Sequence, residues 1–249
     1  MSTTVEQLKL GLIQSPEAPE EPKDGAHLAD PVKWTLTRFP RLRFMGSKYR
    51  LIPWIHETFS ELPFETALDA FSGSGVVAYL LKAMGKRVIT NDFLKFPAVI
   101  AKATVENAST RLPESTLERL LDAPSPPSRF IEETFKGVFF TEDDLRFLDR
   151  TWHAINALPD ATERHIALAA LIRSCVKRQP RGVFTVAGDP SHYKDGRRDL
   201  KLSLREHFVE QVRVYNDAVF DNGKQNLALC GDVFDLESVS ADLGYLDPP

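Results

Sequence analysis

Three acidic residues in this chain stand where short apolar runs end, and each run is followed by a break. Leu68-Asp69-Ala70-Phe71-Ser72-Gly73-Ser74-Gly75 leads into Val76-Val77-Ala78-Tyr79-Leu80-Leu81; Lys86-Arg87-Val88-Ile89-Thr90 ends at Asn91-Asp92; and Leu243-Gly244-Tyr245-Leu246 ends at Asp247-Pro248-Pro249. The first pattern predicts a strand, a tight glycine turn and a helix, with glycine letting a ligand approach the backbone at the helix N-terminus. The second places a carboxylate at the end of the next strand, where ribose hydroxyls are held in such sheets. The third holds a carboxylate and proline carbonyls in a fixed direction, because two prolines force an extended turn. Asn226-Leu227-Ala228-Leu229-Cys230-Gly231-Asp232 reads as one more strand, which adds Asp232 to the candidate cofactor-binding residues. Ligands of open α/β sheets bind at this carboxyl edge, so the residues together describe a nucleotide-like cofactor site beside a directed carboxylate.

The elements that must position these groups are legible from periodicity. Leu51, Ile52, Ile55 and Phe59 form a helical stripe for which Ser47 is a plausible N-cap, and a further helix is expected at about residues 98–107. Thr141-Glu142-Asp143-Asp144 opens a helix carrying Leu145, Leu148, Trp152 and Ile155 on its core face. Asp160 with Glu163 and Ser203 with Glu206 mark two more starts, for helices carrying Ile166, Leu168, Leu171, Ile172 and Val176, and then Phe208, Val212, Tyr215 and Val219. The basic end Lys177-Arg178-Gln179-Pro180-Arg181 leads toward a short strand and a long polar loop containing Lys194, Arg197 and Arg198. Long polar loops in compact domains are often functional, and arginine and glutamine can meet base edges or phosphates.

Composition bounds the possibilities. The 249 residues are 43% hydrophobic, enough for a substantial core. No apolar run approaches the roughly 20 residues that cross a bilayer, and no basic start with an apolar core marks a signal peptide, so a cytoplasmic protein without a membrane partner is expected. Cys175 and Cys230 have no metal-ligand spacing; two buried thiols and no metal are expected. The net charge of −4 excludes a chain that is basic all over, yet Lys33, Arg38, Arg41, Arg43, Lys48 and Arg50 fall between residues 31 and 51 without an acidic neighbour, and Arg173, Lys177, Arg178 and Arg181 form a second such run. Residues 1–30, rich in proline and acidic side chains, are expected to be disordered. The division expected is therefore 31–107 for a cofactor-binding α/β part, 108–225 for a mostly helical insertion, and 226–249 for a return to the sheet.

The motifs resemble those of the N6-adenine DNA methyltransferases of the Dam-like, D12 class. Phe44-Met45-Gly46-Ser47-Lys48 is similar to that family's aromatic-x-G-x-K motif, with phenylalanine where the Dam enzymes have tryptophan. Asp69 to Gly75 matches D-x-F-x-G-x-G, Asp92 the strand-end acid, and Asp247-Pro248-Pro249 the start of D-P-P-Y. The resemblance runs from about Arg41 to the chain's end and is weak in the interior. It implies a Rossmann-like α/β sheet binding S-adenosyl-L-methionine through Phe44, Lys48, Asp69, Phe71, Gly73, Gly75, Asp92, Asp232 and Asp247, with a largely helical target-recognition region inserted between residues 136 and 221. It implies methyl transfer to the N6 amine of adenine in double-stranded DNA, with Asp247 and Pro248 catalytic, in the setting of restriction-modification. DNA contacts are expected at Lys177, Arg178, Arg181, Lys194, Arg197 and Arg198.

Cytosine C5 chemistry is disfavoured, since it needs a thiolate nucleophile in a Pro-Cys setting, and the related N4-cytosine enzymes commonly carry serine in place of this aspartate. The family motif continues with an aromatic residue and further strands past the position of Pro249. The reading therefore expects missing C-terminal strands and feeble activity of these 249 residues alone, as either an N-terminal fragment of a longer enzyme or a part completed by a complementary C-terminal chain. Two rivals stay open: a nicotinamide dehydrogenase, for which D-P-P has no role, and a non-catalytic DNA-binding specificity or regulatory protein on a methyltransferase fold.

Overall fold

The structure, a computed structural model, describes residues 30–43, 45–180, 182, 184, 188 and 196–248. The expected disorder of the N-terminal segment, Phe44, the strand after Pro180 and most of the loop that follows it lie outside the described residues.

At its centre is a four-stranded parallel sheet in the order β3-β2-β1-β4, with β1 at Thr66–Asp69, β2 at Arg87–Asp92, β3 at Leu227–Cys230 and β4 at Leu243–Tyr245. Val88, Ile89, Thr90 and Asn91 of β2 are buried one after another, as expected for a central parallel strand covered on both faces. Register pairs Asp69 with Thr90 on one side and with Tyr245 on the other, while Asp92 lies opposite Cys230. The chain moves from β1 through β2 to β3 in one direction and then crosses to the far side of β1 for β4. That reversal makes the gap between β1 and β4 the switch point, where a crevice opens at the carboxyl edge. The Asp242 carboxylate accepts from the backbone N–H groups of Glu65 and Thr66 at 3.0 and 2.8 Å, pinning the start of β4 to that of β1.

One hydrophobic cluster joins the sheet to α1 (Pro31–Arg38), α2 (Ile52–Ser60) and α3 (Val76–Ala83). Every residue of α3 is buried, which suits a sequence apolar but for Lys82. α1 was not anticipated from periodicity; Asp30 caps it by accepting from the Lys33 N–H at 2.8 Å, and Trp34 Nε1 donates to the Tyr79 hydroxyl at 3.2 Å. The buried Lys82 donates to the carbonyls of Thr104 and Asn107 at 3.0 and 2.7 Å, and burial lowers its pKa to about 7. It ties α3 to the end of a helix that begins earlier than expected, as α4 (Lys95–Ala101), and continues as a π-helical turn (Lys102–Glu106).

A second cluster packs α5 (Glu114–Leu121), α7 (Glu142–Asn156), α8 (Ala161–Lys177) and α10 (Leu204–Ala218) against α4, with the short α6 (Phe130–Thr134) and α9 (Arg198–Lys201) at its edges. Thr141 with Asp144 and Ser203 with Glu206 form complete capping boxes, and Asp160 accepts from the Glu163 N–H at 2.8 Å. Two expectations are corrected. Trp152 shares the helical face of Leu145 and Leu148 yet is 50% exposed, whereas both of those are buried. Ser47 precedes a 3₁₀ turn (Lys48–Leu51) and makes no capping bond; its hydroxyl lies 3.3 Å from that of Ser74 instead. No helix among the described residues is long and apolar enough to cross a membrane.

Candidate active site

The turn after β1 is built by two left-handed glycines, Gly73 at φ 50° and Gly75 at φ 80°. Gly75 N–H donates to the Ser72 carbonyl at 2.7 Å, and Gly75 then serves as N-cap of α3. Asp92 holds this turn from β2: its Oδ2 accepts from the Gly73 N–H at 2.8 Å and its Oδ1 from the Leu94 N–H at 2.9 Å. A carboxylate has about four lone-pair positions, so two remain for a ligand hydroxyl.

A cavity of about 450 Å³ lies beside this turn, lined by Lys48, Asp69, Phe71, Gly73, Asp92, Asp247 and Pro248 together with Met45, Ser74, Phe93, Leu94 and Tyr245. It falls within the size range of sites that enclose a small molecule. Four separate stretches of chain meet there because β1, β2 and β4 end at one edge and the 3₁₀ turn at Lys48 packs beside them. Lys48 forms an ion pair with Asp247 and donates to the Gly46 carbonyl at 2.8 Å.

Asp69 is the electrostatic focus. Its carboxyl oxygens are buried without a full hydrogen bond, although the amides of Phe71 and Ala78 exert a weak lowering influence. Burial first, then the charges of Asp92 and Asp247, raise its pKa to about 7. Three carboxyls against one ammonium make the lining acidic.

Gly75 and Asp232, expected at the cofactor, are not in the lining. Gly75 points a hypothetical Cβ at Ile100 and Phe39, so its service is to the turn. Asp232 caps a 3₁₀ turn (Val233–Leu236) by accepting from the Phe234 N–H at 3.1 Å. Tyr245, Phe93 and Leu94 were not singled out beforehand. A signal for Tyr245 existed: it stands two residues before Asp247, on the same side of an extended chain.

Of the residues expected to meet DNA, Arg181 and Lys194 lie outside the described residues. Arg178 is a correction: it is buried, its Nε donates to Asp144 Oδ2 at 2.9 Å and its Nη1 to the Leu200 carbonyl at 2.7 Å, so it locks α8 to α7 and cannot face a duplex. Lys177 pairs with Asp199 at 2.9 Å, Arg198 with Glu210, and Arg197 donates to the Pro180 carbonyl. Of the two cysteines, Cys175 packs against the helical core, whereas Cys230 is exposed at the end of β3, contrary to the burial expected of it.

A parallel sheet with an acidic cavity at its switch point and a glycine turn beneath it defines a Rossmann-like cofactor-binding α/β protein. The model of the D12 class N6 adenine-specific DNA methyltransferases matches residues 44–249, and the chain belongs to this family. It is 31% identical over 226 residues, 85% of its length, to a protein of Haemophilus parahaemolyticus named Type II methyltransferase M2.HphI. It is 27% identical over 235 residues, 84% of its length, to Modification methylase StsI of Streptococcus sanguinis. The chain spans 66% of the first relative's length and 33% of the second's.

Proposed function

We propose that this chain is the cofactor-binding and catalytic part of a DNA methyltransferase that transfers a methyl group from S-adenosyl-L-methionine to the N6 amine of adenine in double-stranded DNA. The observation that carries this reading is the meeting of Asp69, Asp92 and Asp247-Pro248 around one cavity at the carboxyl edge of the sheet. Its charge suits a sulfonium and an ammonium, whereas the pyrophosphate of a nicotinamide dinucleotide would bring negative charge to three carboxyls. The unpartnered oxygens of Asp69 fit a cationic or hydrogen-bonding group, and the apolar side chains of Phe71, Phe93 and Leu94 fit a purine. The relatives' printed names, a methyltransferase and a modification methylase, agree with it and with a place in restriction-modification.

S-adenosyl-L-methionine, when bound, supplies an electrophilic methyl group. The protein's work is orientation. An amine on an aromatic ring is a poor nucleophile because its lone pair is delocalised. The Asp247 carboxylate and the Pro248 carbonyl accept the two amine hydrogens, which turns the lone pair out of the ring plane toward the methyl carbon and stabilises the positive charge that develops on nitrogen. Asp92 is free at two lone-pair positions for ribose hydroxyls, and Asp69 counters the cationic end. The adenine reaches Asp247 only after leaving the duplex.

Two measurements test the reading. Calorimetry should find binding of S-adenosyl-L-methionine and none of NAD. Mass spectrometry of DNA incubated with the complete protein and donor should find N6-methyladenine at one sequence context. Tight NAD binding without donor binding, or DNA binding without any methyl transfer by the complete protein, would overturn it in favour of a dehydrogenase or a regulatory DNA-binding protein respectively.

A further inference from the structure

A second cavity, of about 260 Å³, shares no lining residue with the acidic one. It forms where the loop before the lysine motif meets the C-terminal end of α8 and the start of α9. Arg41, Arg43, Arg173, Lys177 and Arg197 stand around it, and among the described residues of its lining the one carboxylate is Asp199, which Lys177 engages at 2.9 Å.

These cations are placed by specific contacts. Arg173 is partly buried; its Nε donates to the Arg41 carbonyl at 3.0 Å and it also donates to Gln211 Oε1, both neutral acceptors. Burial lowers its pKa, with Tyr215 and Asp199 countering only in part. The Arg41 guanidinium lies 4.5 Å from the centre of the Tyr49 ring. Arg43 passes so close to Gly182 that a Cβ there would fall 2.6 Å from its Cδ, and Gly182 has φ +68°. Cations gathered around a concave surface focus their field and raise the local concentration of anions. Guanidinium groups match the oxygens of phosphate in paired fashion, so phosphate is the anion this arrangement suits.

Location indicates the source of that phosphate. Arg43 lines this basic pocket and Met45, two residues on, lines the acidic cavity. Two residues of backbone reach at most about 7 Å. The two cavities therefore adjoin the same short stretch of chain, over which a nucleotide whose base enters the acidic cavity lays its flanking phosphates.

We infer that the pocket bounded by Arg41, Arg43, Arg173 and Lys177 seats one backbone phosphate of the target strand beside the extruded nucleotide. The inference rests on the reading of the chain as a DNA methyltransferase. Arg41, Arg43 and Arg173 thereby join the DNA-contacting surface, and the seat fixes how far the base travels rather than which base it is.

The test uses Arg41→Gln, Arg43→Gln and the double variant, with donor affinity and melting temperature verifying the fold. Each single variant is expected to weaken DNA binding to a similar degree on every sequence, and the double variant to lower the slope of log affinity against log salt by about 0.9, the loss of one phosphate contact. Duplexes carrying one uncharged methylphosphonate at successive positions around the target adenine then locate the seat. One position should weaken wild type as much as the double variant and have no further effect on that variant. Unchanged salt slopes and no such position, in a wild type that binds and methylates DNA, would overturn the phosphate seat alone. A sequence-dependent loss would overturn it in favour of base reading. Stabilisation of wild type by inorganic phosphate that Arg41→Gln abolishes, with DNA binding untouched, would overturn it in favour of a free anion. A wild type that binds no DNA at all would overturn both this inference and the function on which it rests.

Discussion

Lys48 and Asp247 form an ion pair at the mouth of the acidic cavity, joining a residue that precedes the first strand to one that follows the last. Their side chains are 27% and 35% exposed, so the pair is worth at most about 1 kcal/mol, weak enough for an incoming amine to displace it. Asp247→Asn removes the acceptor charge and is expected to lower single-turnover methyl transfer by about 10²–10³-fold, with a smaller effect on donor affinity. Equal losses in rate and affinity would assign Asp247 to binding alone.

Asp69 predicts a pH dependence of the ligand-free protein. Its folded pKa of about 7 lies above the ordinary 3.8, so the folded state holds the proton more tightly than the unfolded one. The stabilisation from the neutral carboxyl is present below pH 3.8 and is lost as pH rises to about 7. Asp69→Asn, which stays neutral, should lack this loss, so its melting temperature should gain on wild type between pH 5 and about 7 and hold a constant lead above it. A constant difference across that range would show that Asp69 is already ionised.

Ligand binding should move the same proton. A cation beside Asp69 favours the carboxylate, so binding of S-adenosyl-L-methionine near neutral pH should release a proton. Calorimetry in two buffers of different ionisation enthalpy measures this directly, and an enthalpy independent of the buffer would contradict it.

Gly75→Ala tests the turn without filling space, because the added Cβ would meet Ile100 and Phe39 only at 3.9 and 4.0 Å. The strain of a left-handed alanine, about 1–2 kcal/mol, should appear as lost stability in urea unfolding. Donor affinity should fall with it, since Gly73 and Asp92 are held by the same turn. An unchanged stability would mean that the turn relaxes.

Arg178→Ala should behave unlike a loss of DNA contact. It strands the buried Asp144 carboxylate, which accepts from Arg178 and from the Leu204 N–H at 2.9 Å each. A destabilisation of about 3–5 kcal/mol is expected, with the salt slope of DNA binding unaltered under conditions where the variant is folded. Normal stability with a reduced slope would return Arg178 to the DNA surface.

What could be read from neighbouring residues alone was the chemistry of individual stretches. Glycines at 73 and 75 after an apolar run demand a turn that other residues resist, and the capping boxes at Thr141 and Ser203 need only atoms three positions away. The acids ending three strands followed from the same short-range logic. Tertiary structure decided what those stretches face. Placing β4 beside β1 set Tyr245 opposite Asp69 and so brought the Asp247 charge close to Asp69 across the length of the helical insertion, a proximity set by strand order and register, which no local window contains. The same packing turned Arg178 inward onto Asp144 while leaving its neighbour Lys177 on the rim of a basic pocket with Arg41. One step along a helix turns a side chain by about 100°, and only the position of the neighbouring helices determines whether that direction leads to solvent or to the core.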